Sequence, residues 1–218
     1  CVRYQVEGVE YEVCADPDGN RQYEVRLSGL PRAAEIRFRA VVGDVESAEL
    51  RFFSAPADSA PLRLMVFSDA HINPVTLPLL AAHGLADGVD LAVSVGDHVD
   101  LSETEEYDAY FDLLRPLLHH VPWWPTIGNH DRRSEAYFSS IVVPGAAPNP
   151  GGESYYSARV GVVWFAALEL KDLVISALME KDVGEAVWLR EALASPEARD
   201  ATWRLLFLHE PPWSQNWA

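Results

Sequence analysis

The stretch Leu62-Arg63-Leu64-Met65-Val66-Phe67-Ser68-Asp69-Ala70-His71 passes from a short apolar run into a cluster of side chains able to hold a metal. The same change recurs three times. Leu91-Ala92-Val93-Ser94-Val95 runs into Gly96-Asp97-His98-Val99-Asp100, Trp123-Trp124-Pro125-Thr126-Ile127 into Gly128-Asn129-His130-Asp131, and Leu205-Leu206-Phe207-Leu208 into His209-Glu210-Pro211. Apolar runs of this length predict strands buried on both faces of a sheet. Ligands of open α/β sheets bind beyond the carboxyl ends of such strands. Carboxylate, imidazole and carboxamide groups are therefore expected to converge on one rim, where they can share metal ions.

Asp and His with an Asn oxygen, and no Cys nearby, suit zinc, manganese or iron. A carboxylate between two metals about 3.5–4 Å apart can bridge them and clamp a displacement at phosphorus. Gly96 and Gly128 allow tight turns that bring backbone and side chain close to an ion. One such cluster alone reads as a loop or a helix cap. Four in order, each at a strand end, point to a metal site.

The series D-A-H, G-D-H-V-D, G-N-H-D and H-E-P resembles the calcineurin-like metallophosphoesterase superfamily, which includes the purple acid phosphatases. Asp97 follows Asp69 by 28 residues and Asn129 follows Asp97 by 32, spacings that suit βα units. The resemblance covers about residues 62–218 and implies a layered metallophosphoesterase β-sandwich flanked by helices. It implies two metal ions, drawn from Fe, Zn or Mn. Asp69 and His71 would bind the first, Asp97 would bridge, and Asn129 and His209 would bind the second. His130 would protonate the leaving oxygen, oriented by Asp131. Asp100 fits the family pattern without being a usual ligand. His98 is a candidate substrate contact, with packing beside Asp97 as the alternative.

Two departures from that pattern stand out. Purple acid phosphatases carry an iron-binding Tyr where this chain has Asp100 and a Gly where it has His71, so the charge-transfer purple site is not expected. The family normally completes its metal site with a Gly-His-x-His segment, and the sequence stops at Ala218 before one. Each metal would then lack one imidazole, and the chain reads as a fragment.

Ahead of this region, residues 23–27, 36–40 and 50–52 alternate in polarity and read as half-buried antiparallel strands. Turn residues Gly29, Pro31 and Gly43 fall between them. With Val2–Val6 and Val9–Val13, about five strands fit. The Val25–Pro31 and Ile36–Val41 stretches resemble a fibronectin type III-like module, which precedes the catalytic domain in purple acid phosphatases. A sandwich of that kind needs about seven strands, so the module is expected to be partial. The boundary is placed in Ser54–Pro61, giving an all-β module over 1–57 and a metallophosphoesterase domain over 58–218. Cys1 and Cys14 both lie in the β module, where they either form one staple in an oxidising compartment or stay unpaired.

Helices are expected at Thr76–Ala82, Tyr107–His119 and Glu185–Ala194, and a strand pair at Tyr155–Ser157 and Val160–Leu168 around Gly161. Trp213 and Trp217 either line a pocket near His209 or pack. The 218 residues carry a net charge of −16, which argues against broad binding to nucleic acid or anionic membranes. It does not exclude an anionic ester, because bound metals and His130 can make the rim locally positive. No apolar run approaches the roughly 20 residues of a membrane span.

The leading expectation is therefore a binuclear phosphoesterase that hydrolyses phosphomono- or phosphodiesters of small molecules by attack of a metal-bound hydroxide. Its location would be secreted, periplasmic or at the cell surface. The alternatives are a catalytically incompetent fragment or a non-catalytic binding protein on the same fold, or a metal hydrolase acting on another bond. The sequence does not decide the oligomeric state.

Overall fold

Polar–apolar alternation in the first 53 residues produces a single antiparallel sheet. Its strands are β1 (Val2–Val6), β2 (Val9–Val13), β3 (Glu35–Val42), β4 (Val45–Glu46) and β5 (Leu50–Phe53). The structure is a computed structural model and describes residues 1–15, 23–143, 154–169 and 184–211. β1 pairs with β2 and β3, and β3 also pairs with β4 and β5. A disulfide joins Cys1 to Cys14 and closes the β1–β2 hairpin where Val2 faces Val13. The strand expected at 23–27 does not form. Those residues are irregular, and Tyr23 is 65% exposed. Alternation makes a strand only where a neighbour can take its hydrogen bonds and a core can take its apolar face, and among the described residues no strand pairs with 23–27. The fifth strand is instead Val45–Glu46, turned back onto β3 at Gly43 with φ of +58°.

From residue 64 the pattern changes to β–α alternation, which favours parallel strands. The elements are β6 (Leu64–Phe67), α1 (Thr76–Asp87), β7 (Leu91–Val95), α2 (Thr104–Leu118), β8 (Trp123–Thr126), α3 (Glu135–Ser140), β9 (Tyr156–Val160), β10 (Val163–Leu168), α4 (Gly184–Ala194), α5 (Pro196–Arg199) and β11 (Trp203–Leu208). β6, β7 and β8 form one parallel sheet. β10 lies at the centre of a second, parallel to β11 and antiparallel to β9.

The two sheets pack face to face. Trp124 of β8 stacks on Phe165 of β10 with ring centroids 4.4 Å apart, and Tyr156, Ala167, Leu205 and Phe207 fill the same layer. α1, α2 and α3 cover the outer face of the first sheet through Leu77, Ala81, Leu114, Leu117 and Tyr137. α4 and α5 cover the outer face of the second through Trp188, Leu189 and Ala198. Alternate residues of β10 thus serve opposite cores, which is why all six are buried. Full burial on both faces holds for β7 and β10 but not for β6 and β11. Each of the latter is an end strand of its sheet, with Val66 at 52% and Trp203 at 61% exposure.

α2 begins at a capping box in which Glu103 and Glu106 exchange hydrogen bonds with each other's backbone. It continues through Pro116 to Leu118. Among the described residues, no helix is long and apolar enough to cross a membrane.

Candidate metal centre

Parallel pairing of β6, β7 and β8 places the loops after all three strands on one rim, and β11 delivers its own from the facing sheet. His209 follows β11, and its Nδ1 lies 2.8 Å from the carbonyl oxygen of Val95 at the end of β7. There the second sheet's loop meets the first sheet's rim.

A carbonyl only accepts, so Nδ1 of His209 carries a proton, and in the neutral tautomer Nε2 is a bare acceptor. That nitrogen stands 3.0 Å from Asn129 Oδ1 and 3.3 Å from Asp97 Oδ2. Ligand atoms of Asp69, Asp97 and His209 all fall within 4.8 Å of one another. Acceptors crowded in this way repel one another unless a cation lies among them. The donor set of carboxylate, imidazole and amide oxygen fits zinc, manganese or iron.

The loops are shaped for this approach. Asp69, His71 and Asp97 have φ of +51°, +46° and +53°, a left-handed region that non-glycine residues enter at a cost and mostly at functional sites. Two glycines leave the required space. A Cβ on Gly128 would come within 2.3 Å of both the Asp97 nitrogen and its Oδ1, and one on Gly96 within 2.6–2.7 Å of the His209 ring. Asp97 is held on both sides: its Oδ1 accepts the His130 N–H at 2.8 Å, and its own N–H donates to Asp131 Oδ2 at 3.1 Å.

His71 and His130 follow the same rule as His209, each anchoring Nδ1 on a backbone carbonyl. His71 Nδ1 lies 3.2 Å from the Val99 oxygen and 3.1 Å from Asp100 Oδ1, and His130 Nδ1 lies 2.7 Å from the Asp100 oxygen. The two rings meet edge-on at 5.0 Å. Both therefore present Nε2, the pattern of imidazoles oriented by an outer partner. His71 lies outside the compact group of Asp69, Asp97 and His209. Asp100 has no role in the ligand set expected from the motifs, yet it contacts both imidazoles. Its place in G-D-H-V-D was the available signal.

Two expected roles do not survive the geometry. Asp131 does not orient His130, because its carboxylate faces inward and is fully buried. There it accepts from the N–H groups of Asp97 (3.1 Å) and Gly128 (2.8 Å), from His98 Nδ1 (3.0 Å) and from the Tyr107 hydroxyl (2.9 Å). Burial alone would push its carboxyl up, but the facing His98 and these hydrogen bonds outweigh burial and hold it below the usual carboxylate range. Burial, followed by the Asp131 charge, pushes the Tyr107 hydroxyl well above its ordinary range and keeps it a donor.

His98 does not reach the rim. It is 1% exposed, with Nε2 2.7 Å from Ser94 Oγ, and Tyr110 and Trp123 lie edge-on at 5.3 and 5.5 Å. Adjacency to Asp97 in sequence put it at the rim, but the turn at Asp97 sends the next side chain into the core. Trp213 and Trp217 lie outside the described residues.

Comparison with known proteins agrees with this architecture. A family profile described as calcineurin-like phosphoesterase matches residues 62–218. The curated relative phosphodiesterase YaeI of Escherichia coli (strain K12) is 33% identical over 87 residues, which cover 38% of this chain and 32% of that protein. A purple acid phosphatase from yellow lupin (Lupinus luteus) seeds superposes with a TM-score of 0.67 at 16% identity, over 94% of this chain and 45% of its own. A structure of PhoD superposes with a TM-score of 0.62 at 14% identity, over 94% of this chain and 54% of its own. The chain thus spans about a third of that curated relative and about half of each solved structure.

Proposed function

The chain belongs to the calcineurin-like phosphoesterase family, and on that premise we propose that its rim is the metal-dependent active site of a phosphomono- or phosphodiesterase. The observation that carries the reading is the convergence of acceptors: Asp69, Asp97 and His209 within 4.8 Å, with Asn129 Oδ1 beside His209. Asp69 and His71 would hold one divalent ion, Asn129 and His209 a second, and Asp97 would lie between them. Ions bound there supply Lewis acidity at phosphorus and a nucleophile at neutral pH.

The side chains of the chain itself have separate tasks. Asp97 is fixed by the His130 N–H on its Oδ1 and by the Asp131 carboxylate on its own N–H, so its carboxylate does not reorganise as charge develops. His130 has Nδ1 tied to the Asp100 carbonyl and keeps Nε2 for a proton, which it gives to the departing ester oxygen. Asp100 also steadies His71 through Oδ1. Residues 1–57 are read as an accessory fibronectin type III-like module, and the Cys1–Cys14 disulfide fits an oxidising location outside the cytosol. The test is hydrolysis of a chromogenic phosphomonoester and phosphodiester by protein stripped with a chelator and then given Zn²⁺, Mn²⁺ or Fe. Activity that returns with metal supports the reading, and its absence with every metal on both esters overturns it.

A further inference from the structure

Asp131 receives four donors, and three of them come from the loops that carry candidate ligands. Two are backbone N–H groups: that of Asp97, whose left-handed backbone needs an outside restraint, and that of Gly128, which opens the Asn129 loop. The third is His98, and the fourth is the Tyr107 hydroxyl from α2. Asp131 therefore joins the loop after β7 to the loop after β8 beneath the rim, where no solvent competes.

His98 sets the direction of this latch. The Asp131 carboxylate only accepts, so His98 carries a proton on Nδ1 pointed at Oδ2, and in the neutral ring Nε2 accepts from the Ser94 hydroxyl at 2.7 Å. Tyr110 and Trp123 fix the plane of the ring. Without that proton, a fully buried carboxylate loses the imidazole donor that faces it, and an underbonded buried charge is costly enough to move its neighbours. The neighbour with least freedom is Asp97, whose Oδ1 is bound to the His130 N–H while its Oδ2 faces His209.

We propose that Asp131 and His98 act as a buried positioning pair, locating the Asp97 carboxylate and thereby setting the affinity of the rim for divalent metal. This rests on the metal-site reading above. Neither residue touches substrate, so both are positioning residues.

The test is Mn²⁺ affinity of the purified protein, measured by calorimetry and by the electron paramagnetic resonance of bound Mn²⁺, with thermal unfolding recorded on metal-free samples. Outer partners of metal ligands typically contribute about 10–100-fold in affinity, and Asp131→Asn is expected to lose that much. The amide nitrogen of Asn falls near the place of His Nδ1, and that of Gln near Nε2. His98→Asn therefore keeps the donor to Asp131 and should bind Mn²⁺ almost as tightly as the unmodified protein. His98→Gln keeps only the link to Ser94 and should lose affinity as Asp131→Asn does. Should Asp131→Asn not fold, the His98 pair carries the test alone. Equal Mn²⁺ affinity for His98→Asn and His98→Gln, or unchanged affinity for Asp131→Asn, overturns the positioning role. An unmodified protein that binds no Mn²⁺, Zn²⁺ or Fe overturns the underlying metal reading instead.

Discussion

Replacing Gly128 with Ala puts a methyl group where the rim has no room. The new Cβ would lie 2.3 Å from both the backbone nitrogen and Oδ1 of Asp97 and 3.0 Å from the Gly96 carbonyl carbon. Neither Asp97 atom can yield freely, because the nitrogen donates to Asp131 and the oxygen accepts from His130. Reaching ordinary contact requires the two loops to part by about 1 Å, since carbon meets other heavy atoms at about 3.5 Å.

Overpacking of a tight interior costs about 1–3 kcal/mol. Losing a buried hydrogen bond to the charged Asp131, donated by either Gly128 or Asp97, costs about 1.5–3 kcal/mol. Together they predict roughly 2.5–6 kcal/mol, or about 5–24 °C in Tm at about 2–4 °C per kcal/mol for a chain of this size. The assay is thermal unfolding followed by circular dichroism, with Gly8→Ala as the control. Gly8 has φ of +84°, but a Cβ added there would meet no atom within 4 Å, so only the backbone penalty of about 1–2 kcal/mol applies. If Gly128→Ala unfolds no earlier than Gly8→Ala, the close packing of the two ligand loops is not what the geometry implies.

Gly96→Ala should weaken metal binding at least as much as stability, because its Cβ meets the His209 ring at 2.6–2.7 Å; metal titration beside a melting curve checks this. Asp97→Asn should abolish turnover and lower metal content, measured by elemental analysis after dialysis. His130→Ala should leave metal content nearly intact and lower kcat most for esters with poor leaving groups, and equal losses across a leaving-group series would contradict its role as acid. Reduction or Cys14→Ser should destabilise the β module by about 3 kcal/mol, the value for a loop of roughly 15 residues, while metal content stays unchanged.

The elements legible in the sequence were those where burial and chemistry agree. β7 and β10 carry apolar runs, broken only by Ser94 in β7, because both faces are covered, and the motif after each rim strand marked a loop that turns polar side chains to the rim. Residues 23–27 misled because alternation records a preference for a two-faced surface, not the presence of a partner strand. His98 and Asp131 misled for a different reason. Sequence places them beside Asp97 and His130, but adjacent side chains of an irregular loop diverge, and Asp97 itself sits in the left-handed region. A side chain one position from a rim residue can then point into the core. The contacts of Asp100 with His71 and His130 likewise come from loop geometry, and no spacing rule contains them.

Acceptors converging at Asp97 are proposed to hold the metals on which phosphoester hydrolysis depends. The most direct test is the rate of chromogenic phosphoester hydrolysis as Zn²⁺, Mn²⁺ or Fe is titrated into chelator-stripped protein, unmodified and Asp97→Asn side by side. A rate that rises with bound metal in the unmodified protein and stays at background in Asp97→Asn is the predicted result. Hydrolysis that persists without metal, or that Asp97→Asn supports equally well, would contradict it.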